Sequence, residues 1–137
     1  MIMRHLCQFS FFLVLFFTIT VRAQFTVTVF PPKITGQKAV VPLKIKNGLA
    51  EKVESARAVC FLLDEQGKMA GQSTKWIIGQ NKTSLAPGAT NTFNFVITSN
   101  QPFTTTNLTA KVSFSRVVLE GGKLANVAKD VRVKPTP

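Results

Sequence analysis

Apolar and polar residues alternate one by one along much of the chain, and this period of two constrains the fold more than any other feature. Residues 25–29 and 41–46 each place their apolar side chains on one face, and residues 92–98 do the same with two phenylalanines and an isoleucine. Alternation of this kind, bounded by turn residues such as Asn47-Gly48, is typical of strands with one buried face. The sequence therefore predicts an all-β protein.

The middle of the chain adds two predictions about the sheets. Residues 53–63 form a strand whose second half is apolar at every position, so we expect a central strand covered on both faces. The segment 64–67 has the composition of a turn with a glycine at positive φ, and residues 69–78 return as the second arm of a hairpin. Pro42 has no N–H, which predicts that its strand lies at a sheet edge or contains a bulge.

The last third of the chain completes the strand pattern. Residues 108–119 alternate with a change of phase near Arg116, which predicts a β-bulge. The segment 120–123 has the composition of a hairpin turn, and residues 127–133 are assigned to the last strand. About seven strands at intervals of roughly 8–15 residues predict a single antiparallel β-sandwich, with a small closed barrel as the alternative.

The first 23 residues have the composition of a secretory signal peptide. Arg4 precedes an uncharged apolar run at residues 9–21, and Val21-Arg22-Ala23 has a β-branched and a small residue at the first and third places of a cleavage site. The run is shorter than the roughly 20 residues that a transmembrane helix needs. We predict cleavage between Ala23 and Gln24, export to the periplasm or the medium, and no transmembrane helix in the mature chain. The predicted divisions are a signal peptide at 1–23, a β-sandwich domain at 24–134 and a short tail at 135–137.

The mature composition excludes most catalytic chemistries. The chain has 17 Lys plus Arg, 6 Asp plus Glu and a formal charge of +11, and cleavage would leave +9, no histidine and one cysteine, Cys60. Without histidine there is no Ser-His-Asp or Cys-His unit and no histidine zinc site. Cys60 lies within an apolar run and is expected to be a buried hydrophobe. We therefore expect no enzyme activity, no metal and no cofactor.

The carboxylates give no catalytic pattern either. Glu51 and Glu54 flank a connection, and Asp64 and Glu65 occupy a predicted turn. A glycosidase needs two carboxyl groups across a cleft, and calcium needs several acidic oxygens in one loop. We expect these side chains to form surface ion pairs.

A series of turn signals carries a family resemblance. A lysine-rich strand ends in Lys46-Asn47-Gly48, the next ends in Leu63-Asp64-Glu65-Gln66-Gly67, and Leu85-Ala86-Pro87-Gly88 precedes the aromatic strand Thr92-Phe93-Asn94-Phe95. Over residues 38–118 this order resembles the FxLYD-like and related immunoglobulin-like sandwiches of exported bacterial proteins, although Phe61-Leu62-Leu63-Asp64 matches the naming element only in part. The resemblance implies an immunoglobulin-like fold and a bacterial host, and it brings no catalytic site.

Lysines on alternating strand positions are the candidate binding residues. Lys44 and Lys46 share one face of their strand, and Lys111 lies on the polar side of another strand. A basic sheet face attracts acidic partners, which outside the cytoplasm are anionic lipids, acidic glycans or acidic proteins, and nucleic acid is not expected there. A solvated face that maintains solubility is the alternative.

Other surface features add less to the function. Trp76 is expected to pack in the core or on a sheet face rather than to stack on a sugar. Glycosylation sequons begin at Asn81 and Asn107, and in a bacterial host both matches would be accidental.

The expected function is binding rather than catalysis. An exposed strand can accept a partner strand, and the first strand and the last strand are the candidates for this role. We expect an exported, non-enzymatic module for protein–protein interaction or a structural role in the cell envelope, with an envelope or extracellular protein as its partner. The alternative is attachment of the basic face to an acidic surface.

Overall fold

The chain folds into a β-sandwich of two packed sheets. The structure, a computed structural model, describes residues 23–79 and 83–136. Its strands are antiparallel except for one parallel pair, so the predicted fold class is confirmed. All but the last residue of the predicted signal peptide at 1–23 lies outside the described residues, and so does Asn81 of the first sequon. Within the described ranges, no helix is both long enough and apolar enough to cross a membrane.

Eight strands in the described part of the chain make up the two sheets. They are β1 (Phe25–Val29), β2 (Lys33–Thr35), β3 (Lys38–Asn47), β4 (Val53–Leu63), β5 (Met69–Ile78), β6 (Thr90–Thr98), β7 (Thr109–Leu119) and β8 (Val131–Pro135). In the five-stranded sheet, β3 lies between β6 on one side and β1 with β2 on the other, and β8 pairs in parallel with β1. In the three-stranded sheet, β4 lies between β5 and β7.

The core lies between the inner faces of the two sheets. The alternation in β1 and β3 buries every second side chain, as the sequence predicts, and Phe25, Leu43 and Ile45 are almost fully buried. The rings of Phe25 and Phe114 meet edge to face across the sheets, with centroids 5.6 Å apart. Burial of each large apolar side chain stabilises the fold by roughly 1.5–3 kcal/mol.

The predicted hairpin and bulge are confirmed. Gly67 has a φ of 78° in the turn between β4 and β5, and the Asp64 carboxylate accepts hydrogen bonds from two backbone N–H groups there. Between β4 and β7 the register shifts by one residue, because Arg57 pairs with Arg116 whereas Ala58 pairs with Phe114.

The predicted hairpin turn at residues 120–123 is confirmed, because the chain returns beside β7 and Val118 forms an antiparallel bridge with Leu124. The turn does not lead directly into the last strand. A 3₁₀ turn at Glu120–Gly122 and the short helix α1 (Val127–Asp130) follow β7, and the chain then crosses to the other sheet as β8. The Asn126 side chain caps this helical turn by accepting a hydrogen bond from the Lys129 N–H at 3.2 Å. Residues 127–130 are therefore held in a helical turn and do not extend the last strand.

The sandwich also extends slightly beyond the predicted domain boundary at residue 134. Pro135 ends β8, and the Thr136 N–H donates to the Val29 carbonyl at 3.0 Å. Parallel pairing with β1 therefore orders residues that the sequence assigns to a tail.

Pro42 lies inside the sheet, so the edge prediction is wrong. Its strand β3 has neighbours on both sides. The Pro42 carbonyl accepts a hydrogen bond from Phe30 at the point where β1 has ended and β2 has not begun. In an antiparallel strand, the nitrogen and the carbonyl of one residue point to the same side. The Pro42 nitrogen, which has no N–H to donate, therefore faces the gap between β1 and β2, where no strand needs its hydrogen bond.

Two other predictions about strand surroundings need correction. The first strand is not an edge, because β1 pairs with both β3 and β8. The second half of β4 is not covered on both faces, because Val59, Phe61 and Leu63 alternate with buried residues and remain partly exposed. Its neighbours β5 and β7 supply side chains beside it, but no layer covers it among the described residues.

The buried Asn47 fixes the end of β3. Its amide group donates to the Glu51 and Leu85 carbonyls at 2.9 and 3.0 Å, and its side-chain oxygen accepts from the Leu49 N–H at 3.0 Å. The next residue must be glycine, because a Cβ at Gly48 would lie 2.5 Å from the Gln24 carbonyl oxygen.

Candidate functional site

All basic residues of the five-stranded sheet lie on its outer side. Residues paired in register share a face, and Lys46 pairs with Thr26, which also pairs with Arg132. Lys44 and Lys134 are related in the same way through Thr28. We call this surface the basic face. It is defined by six exposed residues: Lys33, Lys38, Lys44, Lys46, Arg132 and Lys134.

Four of these cations form a compact group. Lys44 and Lys46 lie about 7 Å apart along β3, and the cations of β8 lie two strand spacings away, at about 10 Å. The positions between and beside them carry short threonines, including Thr90 and Thr92 of β6. Threonine suits an exposed strand, and its short side chain leaves the longer lysine and arginine side chains free to reach outward.

The charge of this surface has no acidic compensation within its own sheet. The five strands contain no Asp or Glu. Lys123 and Glu51 form an ion pair, the only one among the described residues, and they lie in connections outside the sheet. The positive potential over the basic face is therefore weakened mainly by solvent and by dissolved salt. At physiological ionic strength, salt screens exposed charges over a Debye length of about 8 Å.

Lys111, the third predicted site residue, lies elsewhere. It pairs with Phe61 of β4 and faces outward from the three-stranded sheet. The structure thus brings Lys44 and Lys46 together and separates Lys111 from them. Sequence reasoning missed Arg132 and Lys134, which alternate in β8 as the lysines do in β3, because it gave no indication of which sheet the last strand joins.

The predicted cleavage site lies directly before β1. Ala23 is exposed, and the Gln24 side chain donates to the Lys129 carbonyl at 3.2 Å. The Gln24 carbonyl accepts a hydrogen bond from the Gly48 N–H. The proposed new N-terminus would therefore be tied to the fold one residue before β1.

A shallow apolar groove interrupts the basic face. It forms where one extra residue stands between β1 and β2, since residues 30–32 lie opposite residues 41 and 42. Phe30 lies opposite Pro42, and both side chains face outward, two residues along their strands from Thr28 and Lys44. Phe30 is 36% exposed. The groove has a volume of about 540 Å³, and its lining consists of Phe30, Pro31, Pro32, Lys33, Pro42, Leu43, Thr92 and Asn94.

The outer side of the three-stranded sheet has a different character. Trp76 pairs with Arg57, whose guanidinium lies 6.0 Å from the centre of the indole ring. Val59, Phe61 and Leu63 run along the centre of this sheet and are partly exposed. We call this surface, defined by these five residues, the Trp76 face.

The described acidic and thiol groups form no catalytic cluster. The Asp64, Glu54 and Asp130 carboxylates accept hydrogen bonds from nearby backbone N–H groups. No group of three His, Cys, Asp or Glu side chains that could hold a metal occurs in the described part of the chain. Cys60 is buried as predicted, and burial raises the pKa of its thiol from an ordinary 9.0 to about 11.

The free edges of the sheets carry protective residues. The outermost strand β8 contains Lys134 and Pro135, and both types of residue discourage pairing with another chain. At the other side of the sandwich, the Lys75 ammonium donates to the Val96 carbonyl of β6 at 2.6 Å. Its nitrogen also lies 5.6 Å from the centre of the Phe95 ring, so it joins the edges of the two sheets.

Comparison with known proteins gives a distant structural likeness. No family model and no curated protein matches the chain. Among solved structures, it is similar to a Bordetella pertussis protein that carries the provisional name ApaA. The identity is 17% and the TM-score 0.48, over 74% of this chain and 86% of that chain. A likeness of this size supports no transfer of function.

Proposed function

We propose that the chain is an exported, non-enzymatic binding module that attaches to an acidic partner through its basic face. The observation that carries this proposal is the one-sided charge of the five-stranded sheet. Six exposed cations occupy its outer side, and its strands contain no acidic residue. The leader-like composition of residues 1–23 supports export.

The compact group of four cations supports attachment rather than mere solubility. Charges meant only to keep a protein soluble can be placed anywhere on its surface, and mixed signs serve that purpose. Here Lys44, Lys46, Arg132 and Lys134 lie within about 12 Å of one another at the Cα positions. Each basic residue near an anionic surface contributes about 1 kcal/mol, so four acting together would give measurable affinity.

Two triple variants of equal net charge test this proposal. In the basic-face variant, Lys44, Lys46 and Arg132 are each replaced by Gln. In the matched control, Arg57, Lys111 and Arg116 of the other sheet are replaced by Gln. Binding of both exported full-chain variants to immobilised poly-L-glutamate is measured from about 50 to about 500 mM NaCl.

We expect the basic-face variant to lose roughly 100-fold in affinity at low salt, because three local attractions are removed. The control is expected to stay within about threefold of the original protein, since its lost charges lie on the far side of the sandwich. Equal losses in the two variants would show that only net charge matters. That result, or binding that is absent or indifferent to salt, would contradict the proposal.

A second candidate function is a protein contact on the Trp76 face. The partly exposed Val59, Phe61 and Leu63 favour it, because the fully desolvated centres of protein interfaces are apolar. Retention of a partner by the basic-face variant at high salt, together with its loss on Phe61→Ser, would favour this candidate over the first.

A further inference from the structure

The groove and the cations on either side of it form one continuous surface. Along β3, Pro42 at the groove lies two residues from Lys44 and four residues from Lys38. Lys33 pairs with Val40 and lines the groove on the Lys38 side of Pro42. Lys134 lies on the Lys44 side, because Lys134 and Lys44 both pair with Thr28. A ligand that fills the groove is therefore flanked by cations in both directions along the strand.

The lining favours an apolar group inside the groove. Phe30 supplies an aromatic wall, and three prolines supply aliphatic surface without a single N–H donor. Sugar hydroxyl groups would find few hydrogen-bond partners there, since Thr92 and Asn94 are the neutral polar side chains of the lining. A flat bilayer also fits poorly, because its surface would span a recessed groove without filling it.

The spacing favours an extended polypeptide. On β3, the Cα atoms of residues 40 and 44, which face the same side, are about 13 Å apart. An extended peptide covers the same distance in four residues. Acidic side chains two residues before and two residues after a central apolar residue would then reach Lys33 and Lys44. The central side chain, which points to the same face as both acids, would enter the groove.

We propose, building on the proposed function, that the groove receives an apolar side chain from an extended acidic segment of a partner protein. The cations attract and align the segment, and the groove between Phe30 and Pro42 fixes its register. Charge complementarity favours binding of an acidic segment. Burial of one apolar side chain in the groove makes such a segment bind more tightly than a segment that carries acidic residues alone.

Three labelled peptides of equal length test the inference by fluorescence anisotropy with the exported full chain. The first has a central leucine with an acidic residue two positions away on each side. The second has serine in place of leucine, and the third has the same composition as the first with the leucine moved to one end. The protein variants are Phe30→Ala, with Trp76→Ala as an aromatic control on the other sheet, and far-UV circular dichroism verifies the fold of each.

We expect the central-leucine peptide to bind about tenfold more tightly than the other two, as burial of a leucine side chain in the groove implies. Phe30→Ala should abolish this preference while leaving the affinity for the serine peptide within about twofold, since the cations remain in place. Trp76→Ala should leave the preference unchanged.

Other outcomes separate the inference from the proposed function. Equal binding of all three peptides, weakened by the basic-face triple variant, would overturn the groove inference and leave the basic face as a general acidic-partner site. No salt-sensitive binding of any peptide would overturn both. A competition experiment tests the choice of a polypeptide ligand. Anionic phosphatidylglycerol vesicles, a sulfated polysaccharide and the unlabelled serine peptide each compete with the central-leucine peptide, at matched concentrations of negative charge. If the vesicles or the polysaccharide displace it at a lower charge concentration than the serine peptide does, a polypeptide ligand is overturned.

Discussion

On the outer side of the five-stranded sheet, cations alternate with threonines, whereas the outer side of β4 carries Val59, Phe61 and Leu63. Both surfaces come from the same two-residue alternation, and both sheets bury the opposite face against a common core. The difference lies in how the cations are used. On the basic face they have no acidic neighbour in the sheet, while on the Trp76 face Arg57 lies over an indole ring.

This comparison separates charge that is available to a partner from charge that is already engaged. A guanidinium above an aromatic ring gains about 0.5–1 kcal/mol within the protein itself at an exposed site. Lys44 and Lys46 make no ion pair among the described residues, and they repel one another across about 7 Å. An acidic ligand would relieve that repulsion. Arg57 also lies opposite a like charge, Arg116, but its guanidinium is already engaged with the Trp76 ring.

We expect substitution of Asn47, in the interior that both faces share, to change the stability most. Asn47→Ala leaves the part-buried Glu51 carbonyl without its donor and the Leu49 N–H without its acceptor. It also removes one of the two donors of the buried Leu85 carbonyl, which keeps only the Val53 N–H. We expect the free energy of unfolding to fall by about 3 kcal/mol, measured by urea titration. A loss below about 1 kcal/mol would show that water replaces these bonds, and the loop between β3 and β4 would then not depend on Asn47.

A smaller effect is expected from Cys60 at high pH. The thiol pKa is raised by burial from 9.0 to about 11, so the folded protein retains this proton where the unfolded chain loses it. Stability should be unaffected below about pH 8 and should fall by about 2 kcal/mol between pH 9 and pH 11, since each pH unit in this window contributes at most 1.4 kcal/mol.

Lysine titration in the same pH range makes a control necessary. Cys60→Ala retains every lysine and arginine, so the difference between its pH profile and that of the original protein isolates the thiol. The two profiles should diverge only above about pH 9. Parallel profiles would mean that Cys60 becomes ionised as easily in the folded protein as in the unfolded chain.

The smallest effects compare the two faces directly. Arg57→Gln removes the cation above Trp76 and should lower the free energy of unfolding by about 0.5–1 kcal/mol. Lys46→Gln removes a repulsion and should raise it by up to about 0.5 kcal/mol at low salt. Added salt should cancel the second change more completely than the first. Thermal unfolding at two salt concentrations would measure both, and changes of equal sign would remove the distinction between the faces.

Local features of the fold could be predicted from the sequence, because alternation and turn chemistry act within a few residues. The outward position of Lys44 and Lys46, the burial of Cys60 and the turn at Gly67 all follow from such short-range patterns. The bulge near Arg116 also leaves a local signature, since one extra residue changes the phase of the alternation.

The composition of the basic face could not be predicted in the same way. It depends on β8 joining β1 across the chain, whereas the turn at 120–123 indicates only the short return beside β7 that precedes this crossing. The groove depends on the interruption that Pro31 and Pro32 cause beside Pro42, where a proline inside a sheet is tolerated only because its partner strand has ended. Both are consequences of long-range pairing, which no short segment encodes.

An acidic partner is expected to bind the outer side of the five-stranded sheet. Backbone amide shifts of the ¹⁵N-labelled protein, followed by NMR during titration with the central-leucine acidic peptide, test it most directly. We predict saturable shifts at Thr26, Thr28, Lys44 and Lys46 that vanish at high salt. Shifts confined to Val59, Phe61 and Trp76, with the basic face unchanged, would contradict binding of the acidic peptide to the basic face.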